Sequence, residues 1–186
     1  MSAQLKGRWA IVTGANRGLG ESIAQRYVQE GASVVMCARD GQRLDEVRGR
    51  LAALAGPGQA VHALTADVSQ PGAADAVAAC ALREGGRIDV LVNNAGVYGP
   101  MGAIEDVDWT QWMRAIEINL GGSVLMARAV LPAMKAQRSG RIIQISGGGA
   151  TNPMPRISAY AASKAAVVRF AESLALEVRA DGIDVN

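Results

Sequence analysis

The residues that metal and disulfide chemistry require are scarce in this sequence. Its 186 residues include one histidine, His62, and two cysteines, Cys37 and Cys80. Two cysteines cannot form a disulfide framework or a four-ligand zinc site, and one histidine argues against catalysis by a histidine-ligated metal. We therefore predict no active-site metal and a reducing, cytoplasmic compartment. A Ser-His-Asp triad would have to use His62, which we interpret as a structural residue of a strand.

Long apolar runs and runs of like charge are also missing. No stretch approaches the roughly 18 apolar residues that span a bilayer, and residues 1–6 lack the apolar core of a signal peptide. Lysine and arginine number 19 against 17 acidic residues, and the basic residues are scattered. These patterns argue against a membrane or a nucleic acid as a partner. A hydrophobic fraction of 49% is typical of a globular chain that buries its own core.

Short apolar runs alternate with longer amphipathic stretches along the whole chain. They predict strands at 8–13, 33–37, 60–64, 88–92 and 141–146, the opening of another strand at 182–186, and helices at 19–30, 44–54, 73–83, 109–134 and 158–179. The helix at 109–134 is expected to be distorted around Gly121-Gly122. The near-continuous apolar strands indicate an α/β fold, a Rossmann-like doubly wound parallel sheet with helices on both faces. Such sheets bind ligands at the carboxyl ends of their strands.

A glycine-rich turn joins the first predicted strand to the first predicted helix. Its sequence is Thr13-Gly14-Ala15-Asn16-Arg17-Gly18-Leu19-Gly20. Glycines permit a tight turn and a close backbone approach to a pyrophosphate, while the helix N-terminus offers free N–H groups and partial positive charge. We therefore predict dinucleotide binding at Gly14, Asn16, Arg17, Gly18, Leu19 and Gly20. The alternative is a glycine-rich turn without a ligand.

The end of the second strand bears on the choice of dinucleotide. A carboxylate at this point accepts the ribose 2′-OH of NAD, whereas an arginine suits the 2′-phosphate of NADP. The strand ends in Cys37-Ala38-Arg39-Asp40, so that the arginine comes first. Arg39 and Arg17 together can clamp one phosphate, which favours NADP over NAD. The alternatives are that both are ordinary surface arginines, or that Asp40 pairs with Arg39.

A tyrosine and a lysine lie four residues apart at the start of the last predicted helix. Tyr160 and Lys164 therefore share one helical face. A nearby ammonium favours the phenolate, so such a pair can exchange a proton with an alcohol or carbonyl oxygen. A lone Tyr-x-x-x-Lys pattern often arises by chance. Its place after the fifth strand, beside the expected nicotinamide, is what favours a catalytic role.

With these features in place, the sequence resembles the single-domain branch of the short-chain dehydrogenase/reductase family. Five features agree in order and spacing: Thr13-Gly14-x-x-x-Gly18-x-Gly20, Asp67-Val68, Asn93-Asn94-Ala95-Gly96, Asn119 and Tyr160-x-x-x-Lys164. The resemblance implies hydride transfer between a nicotinamide and a small-molecule carbonyl or alcohol. It also implies a homo-oligomer formed through the helices at 109–134 and 158–179.

The resemblance assigns roles to individual residues. Tyr160 would be the general acid in reduction, with Lys164 lowering its pKa and holding the nicotinamide ribose. Asn119 would hold a water that relays protons to Lys164; the alternative is a buried asparagine that satisfies a helix irregularity. Asp67 and Val68 would hold the adenine. The segment from Asn93 to Gly96, with Asn93, Ala95 and Gly96, would support the fourth strand and line the cofactor bed; the alternative is a simple turn.

Two departures from the family pattern affect the expected function. The family's substrate-orienting serine lies thirteen residues before the tyrosine, where this chain has Gly147, so we expect the adjacent Ser146 to serve. The resemblance also implies a substrate lid and a last strand beyond residue 186. We therefore expect residues 1–186 to form a single dinucleotide-binding domain without those parts. The rival hypotheses are a catalytically silent NADP-binding domain and an incomplete fragment.

Overall fold

The computed structural model describes residues 4–186. Residues 1–3, part of the segment in which no signal peptide is predicted, lie outside the described range. The strands are β1 Trp9–Thr13, β2 Ser33–Ala38, β3 Val61–Thr65, β4 Val90–Asn93, β5 Gly140–Gln144 and β6 Ile183–Val185. The helices are α1 Gly18–Gln29, α2 Gly41–Ala52, α3 Pro71–Gly85, α4 Trp109–Ile116, α5 Gly122–Gln137 and α6 Ser158–Val178.

The six strands form one parallel sheet in the order β3-β2-β1-β4-β5-β6. The chain first builds outward from β1 to β3 and then returns to add β4 on the other side of β1. The order therefore reverses between β1 and β4, and the loops that follow these two strands diverge to opposite faces. This arrangement confirms the Rossmann-like doubly wound sheet, and it opens a crevice at the carboxyl ends of the central strands.

Apolar side chains fill both faces of the sheet. On one face, β-strand residues such as Ile11 and Leu91 pack with residues of α3, α5 and α6. On the other, Val12 and Val92 pack with residues of α1 and α2. Neighbouring strand residues thus point to opposite faces, and both sets are fully buried. The helical layers hold the strand ends rigidly and so fix the floor of the crevice.

The predicted helix at 109–134 is divided by a π-helical segment, Glu117–Gly121. Its position confirms the expected distortion, which begins four residues before Gly121-Gly122. Within this segment the Asn119 side chain bonds to the backbone of Val97, at 2.8 Å from the Val97 amide and 2.9 Å to its carbonyl. The wider turn thereby brings a buried amide to the loop after β4.

Among the element boundaries that differ from the sequence prediction are the ends of the fifth strand and of the last helix. The fifth strand ends at Gln144 and not at residue 146, because Gly147 and a short 3₁₀ turn, Gly148–Ala150, carry the chain out of the sheet. The last helix ends at Val178, after which a 3₁₀ turn leads into β6, the sixth strand that the sequence predicts. Within residues 4–186, no helix is both long enough and apolar enough to cross a bilayer.

Candidate active site

A cavity of about 690 Å³ lies at the carboxyl ends of β1, β2 and β4, where the strand order reverses. Most of the predicted cofactor residues line it: Gly14, Asn16, Arg17, Gly18, Leu19, Arg39, Asp67, Val68, Ala95 and Gly96. Asn94 of the predicted Asn93 to Gly96 segment lines it too, and so do three residues that the sequence did not predict there, Arg43, Val97 and Ile118. The predicted dinucleotide residues are therefore brought together in one crevice.

The glycine turn has the backbone geometry that a phosphate cradle requires. Gly14 and Gly18 both have positive φ angles, of 64° and 57°, in the left-handed region that favours glycine. A β-carbon on Gly14 would come within 2.9 Å of Ala95 Cα, while Gly18 faces open space. Helix α1 begins at Gly18, and no side chain caps its N-terminus. Its first N–H groups are therefore available to an anion such as a pyrophosphate.

Gly20 does not line the cavity but supports the turn from below. A β-carbon at this position would lie 2.5 Å from Asn94 Nδ2 and still closer to the Gly14 carbonyl oxygen. We expect Gly20→Ala to lower the free energy of unfolding by about 1–3 kcal/mol through overpacking, and to weaken cofactor binding. Gly49→Ala is the matched control, because Gly49 lies in α2 with open space around it. Denaturant unfolding measures the free energy of unfolding of both variants. Equal free energies for Gly20→Ala and Gly49→Ala would contradict the prediction.

The turn is tied to the end of β4 by Thr13 and Asn94. Thr13 Oγ1 accepts hydrogen bonds from the backbone N–H groups of Asn94 and Ala95, both at 3.0 Å. Asn94 Nδ2 in turn donates to the Thr13 and Gly14 carbonyls, at 2.9 and 3.2 Å. The asparagine that faces the cavity is therefore Asn94. Asn93, which we predicted there, is buried on the other face of β4 and donates to the Ser123 carbonyl.

Three guanidinium groups border one end of the cavity. Arg17 and Arg39 lie there as predicted, both exposed. Asp40 does not pair with Arg39 within residues 4–186; its carboxylate caps α2 by accepting from the Arg43 amide at 3.1 Å. Arg43 reaches back to the glycine turn, where its Nε donates to the Asn16 carbonyl at 3.1 Å. The arrangement concentrates positive charge where the sequence analysis places a ribose phosphate.

Asp67 lies on the cavity wall in a network of hydrogen bonds. One carboxylate oxygen accepts from the backbone and hydroxyl of Ser69, at 3.1 and 2.6 Å, and the other pairs with Arg114 of α4. Burial favours the neutral carboxyl, but the Ser69 bonds and the Arg114 and Arg39 charges outweigh it and hold the pKa of Asp67 below its usual value. Asp67 is therefore an ionised, oriented hydrogen-bond acceptor.

Tyr160 and Lys164 lie on one face of α6, beside the cavity. Lys164 is buried, and its Nζ donates to the Ile145 carbonyl at 2.7 Å and lies 5.8 Å from the centroid of the Tyr160 ring. Burial lowers the pKa of Lys164. Burial and the neighbouring Tyr98 raise the pKa of Tyr160. That Lys164 lowers the pKa of Tyr160 stays a prediction.

Asn119 stands between the cavity and α6. Its side chain is almost fully buried, and besides its bonds to Val97 it donates to Ser163 Oγ at 2.8 Å. Both amide hydrogens are thus used, so a water of the expected relay would have to bind the main-chain oxygen, which already accepts from Ser123 Oγ. A β-carbon on Gly96 would lie 3.2 Å from Asn119 Oδ1 and 3.7 Å from Lys164 Nζ. The predicted lysine and asparagine therefore meet behind the floor of the cavity.

Ser146 lies in the segment that leads from β5 to the 3₁₀ turn at Gly148–Ala150. It is exposed after the end of β5, and no hydrogen bond joins it to Tyr160 in the part of the chain that the structure describes. The residue that faces the Tyr160 hydroxyl is Gly147. The ring of Tyr98 also contacts that of Tyr160, with centroids 4.9 Å apart. Tyr98 thus borders the site.

His62 lies near the start of β3, at the end of the sheet away from the cavity. Its ring stacks on Trp9, with centroids 6.1 Å apart, and its Nε2 is 3.8 Å from a Glu84 carboxylate oxygen. Both cysteines are buried and free. This placement agrees with the interpretation of His62 as a structural residue, because His62 lies at the end of the sheet opposite to the cavity.

The comparison with known proteins assigns this site to a family. The model of the short chain dehydrogenase family matches residues 8–186. The chain belongs to the short-chain dehydrogenase/reductase family. Among its relatives is a short chain dehydrogenase of Pseudocercospora fijiensis, 39% identical over 97% of this chain. The match covers 58% of that relative, so this chain spans less than two thirds of the relative's length.

Solved structures of other family members superimpose closely on this chain. A metagenomic short-chain oxidoreductase in complex with NADP has a TM-score of 0.89 at 38% identity, covering 97% of this chain and 80% of its own. An NAD⁺-bound xylitol dehydrogenase has a TM-score of 0.93 at 27% identity, covering 98% and 69%. Both nicotinamide cofactors thus occur among solved structures with this fold.

Proposed function

We propose that this chain is the cofactor-binding and catalytic part of an NADP-preferring oxidoreductase that interconverts a carbonyl and an alcohol. The observation that carries the proposal is that three features meet at the carboxyl ends of the strands. These are the uncapped N-terminus of α1, the arginines beside it, and the Tyr160–Lys164 pair on α6. Because the chain spans only part of its relatives, the activity is proposed and not taken from them.

The residues present fit a nicotinamide dinucleotide. The turn at Gly14 and the start of α1 would hold the pyrophosphate, and Asp67 and Val68 would hold the adenine. Arg17 and Arg39 would bind a 2′-phosphate, and Arg43 would add a third guanidinium to that end. Lys164 would hold the nicotinamide ribose. When bound, the nicotinamide supplies or accepts the hydride.

Proton transfer falls to Tyr160. In reduction its hydroxyl donates a hydrogen bond to the substrate oxygen and then the proton that converts the developing alkoxide into an alcohol. Its raised pKa keeps it protonated at neutral pH, which suits a general acid. In the reverse direction the phenolate must take the proton of the alcohol. Lys164, held by the Ile145 carbonyl, supplies the positive charge that steadies the phenolate.

The direct test is turnover by the purified chain. We expect NADPH to be consumed with a panel of simple ketones and aldehydes, with the alcohol identified as product. NADPH binding without consumption of any of them would favour the second candidate, a catalytically silent NADP-binding domain. The exposed Ser146, unconnected to Tyr160, is the observation that favours this alternative.

The reaction should depend on pH in the direction that the Tyr160 pKa sets. Because burial and Tyr98 raise that pKa above its ordinary value of about 10, the cofactor-free tyrosine should titrate only at strongly alkaline pH. Reduction should be flat through neutral pH and fall as the phenol ionises, while alcohol oxidation should rise over the same range. The difference in tyrosinate absorbance between the wild type and Tyr160→Phe gives the midpoint. A midpoint near neutral pH would contradict this prediction.

We also propose cytoplasmic location and self-association. The two free, buried cysteines support a reducing compartment. Trp109 on α4 and Leu176 on α6 are 68% and 76% exposed, and they support a homo-oligomer formed through the helices at 109–134 and 158–179. A molecular mass near 19.3 kDa in solution, measured by light scattering, would reject self-association.

A further inference from the structure

Three side chains that can ligate a metal meet beside β3, the edge strand of the sheet. Cys80 and Glu84 lie four residues apart on α3, so they share one face of that helix. His62 pairs in register with Val35 of β2, whose side chain packs on the face of the sheet that α3 covers. His62 therefore points from β3 toward α3, at the end of the sheet away from the cofactor cavity.

The ligand atoms of these side chains are close enough to share one cation. His62 Nε2, Cys80 Sγ and a Glu84 carboxylate oxygen all lie within 4.8 Å of one another, and the histidine nitrogen is 3.8 Å from the glutamate oxygen. Around a tetrahedral zinc, metal–ligand distances of about 2.0–2.3 Å place the ligand atoms about 3–4 Å apart, so these atoms need to close by only about 1 Å. Within residues 4–186 this is the one group of three such side chains that meets this distance.

The combination of donors indicates which cation would bind. An imidazole nitrogen, a thiolate and a carboxylate are all ligands of Zn²⁺, whereas Mg²⁺ and Ca²⁺ prefer oxygen alone. The scarcity of cysteine and histidine excludes a closed site of four such ligands. It does not exclude a mixed site, in which three protein ligands and one water complete the tetrahedron.

The burial of the three ligands leaves a path for an ion from solvent. Cys80 is 3% exposed, while the side chains of His62 and Glu84 are only partly buried. The ring of Trp9 stacks on that of His62 and helps to orient it. Burial raises the pKa of the Cys80 thiol. A cation that binds there must therefore replace the thiol proton: the S–H bond breaks, a sulfur–metal bond forms, and the proton leaves to solvent.

A positive group already lies against two of these ligands. Arg83 Nη2 is 3.6 Å from Cys80 Sγ, and its Nε donates to one Glu84 carboxylate oxygen at 2.8 Å. The other oxygen of Glu84 is the one that faces His62. The Arg83 side chain is 67% exposed, so its guanidinium can move into solvent when a metal ion enters. Arg83 thus competes with the ion, and its removal should strengthen metal binding.

We propose that His62, Cys80 and Glu84 form a binding site for a zinc-like divalent cation. The bound ion would join the edge strand β3 to α3 and so stabilise the folded chain. The proposal goes beyond the proposed function and does not rest on it, because the site lies at the end of the sheet opposite to the cofactor cavity. Its test therefore needs neither cofactor nor turnover.

The first test is a titration of the purified chain with Co²⁺, whose spectrum reports its ligands. We expect one equivalent to give the visible bands of a tetrahedral ion and a near-ultraviolet thiolate charge-transfer band, and Zn²⁺ to displace it. Cys80→Ala should abolish the charge-transfer band and weaken binding by at least about 100-fold, because loss even of a group that only supports a ligand costs about 10–100-fold. Cys37→Ala is the matched control, since Cys37 is the other buried cysteine and lies on β2, and it should bind as the wild type does.

Two further variants test the site even if Cys80→Ala folds poorly. His62→Phe keeps a ring against Trp9 but removes the nitrogen ligand, and it should bind Zn²⁺ at least about 10-fold more weakly. Arg83→Gln should instead bind Zn²⁺ more tightly than the wild type. Zinc at about 100 times its Kd should raise the Tm of the wild type by about 5–10 °C and leave that of His62→Phe unchanged at the same concentration.

Three results would overturn the proposal. The first is a wild type that shows no thiolate charge-transfer band with Co²⁺. The second is wild-type Zn²⁺ affinity in His62→Phe, which would place the ion elsewhere. The third is weaker binding in Arg83→Gln, which would show that the guanidinium supports the site and does not compete for it.

Discussion

Replacing Tyr160 with phenylalanine is expected to lower kcat for carbonyl reduction by about 10²–10⁴-fold and to leave the Kd for NADPH nearly unchanged. The hydroxyl is the only group of Tyr160 that the change removes, and it faces Gly147 at the edge of the cofactor cavity. Cofactor affinity should persist because Tyr160 does not line the cavity in which the dinucleotide residues meet. Steady-state kinetics and an NADPH titration of the same preparation measure both effects.

Tyr27→Phe is the matched control for that change. Tyr27 is a partly buried tyrosine of α1 whose ring packs on the apolar cluster beneath α1 and α2. Tyr27→Phe also removes one tyrosine hydroxyl, but that hydroxyl lies on the outer side of the sheet. The kcat of Tyr27→Phe should therefore equal that of the wild type. Retained turnover in Tyr160→Phe would reject Tyr160 as the acid. A large loss in both variants would show that the effect is one of stability.

Neutralising Arg17 and Arg39 together should remove the preference for NADPH. A charge-assisted hydrogen bond contributes about 1.5–3 kcal/mol, so two of them correspond to a loss of more than about 100-fold in NADPH affinity. Because the ribose of NADH carries no phosphate at this point, its Kd should hardly change. We expect this of Arg17→Gln combined with Arg39→Gln, measured by the quenching or enhancement of nicotinamide fluorescence.

Arg48→Gln provides the control for a general loss of positive charge. Arg48 lies on α2, like Arg43, but pairs with Asp45 at 2.6 Å and does not line the cavity. The affinity of the Arg48→Gln variant for both cofactors should therefore equal that of the wild type. If the double Arg17/Arg39 variant binds NADPH and NADH more weakly by the same factor, the arginines act on a part that both cofactors share.

The fold and the cofactor turn could be predicted from sequence because both depend on local patterns. Alternating apolar runs identify the strands, and a glycine turn between strand and helix identifies the crevice. The end of β5 could not be predicted in the same way, because the apolar run through Ile145 continues the strand pattern. In the structure the packing of Gly149 on α6 diverts the chain from the sheet after Gln144. A glycine run after a predicted strand was the available signal.

The finer arrangement of the site depends on contacts between distant residues. Arg43 reaches the Asn16 carbonyl across 27 residues, and Arg114 pairs with Asp67 across 47. Neither contact leaves a periodic pattern in the sequence. The different partners of Asn93 and Asn94 have a simpler cause, because a step of one residue along a strand reverses the side chain. Asn94 shares the face of Val92, so strand alternation places it on the side of the glycine turn.

The most direct test of the whole account is a titration of the purified chain with NADPH and, separately, with NADH, followed by nicotinamide fluorescence. We expect saturable binding of both, with NADPH the tighter ligand because the guanidinium groups of Arg17, Arg39 and Arg43 border the cavity. Tighter binding of NADH would contradict the cofactor assignment and leave the fold intact. Failure of both to bind would contradict the proposal that residues 4–186 form the dinucleotide site.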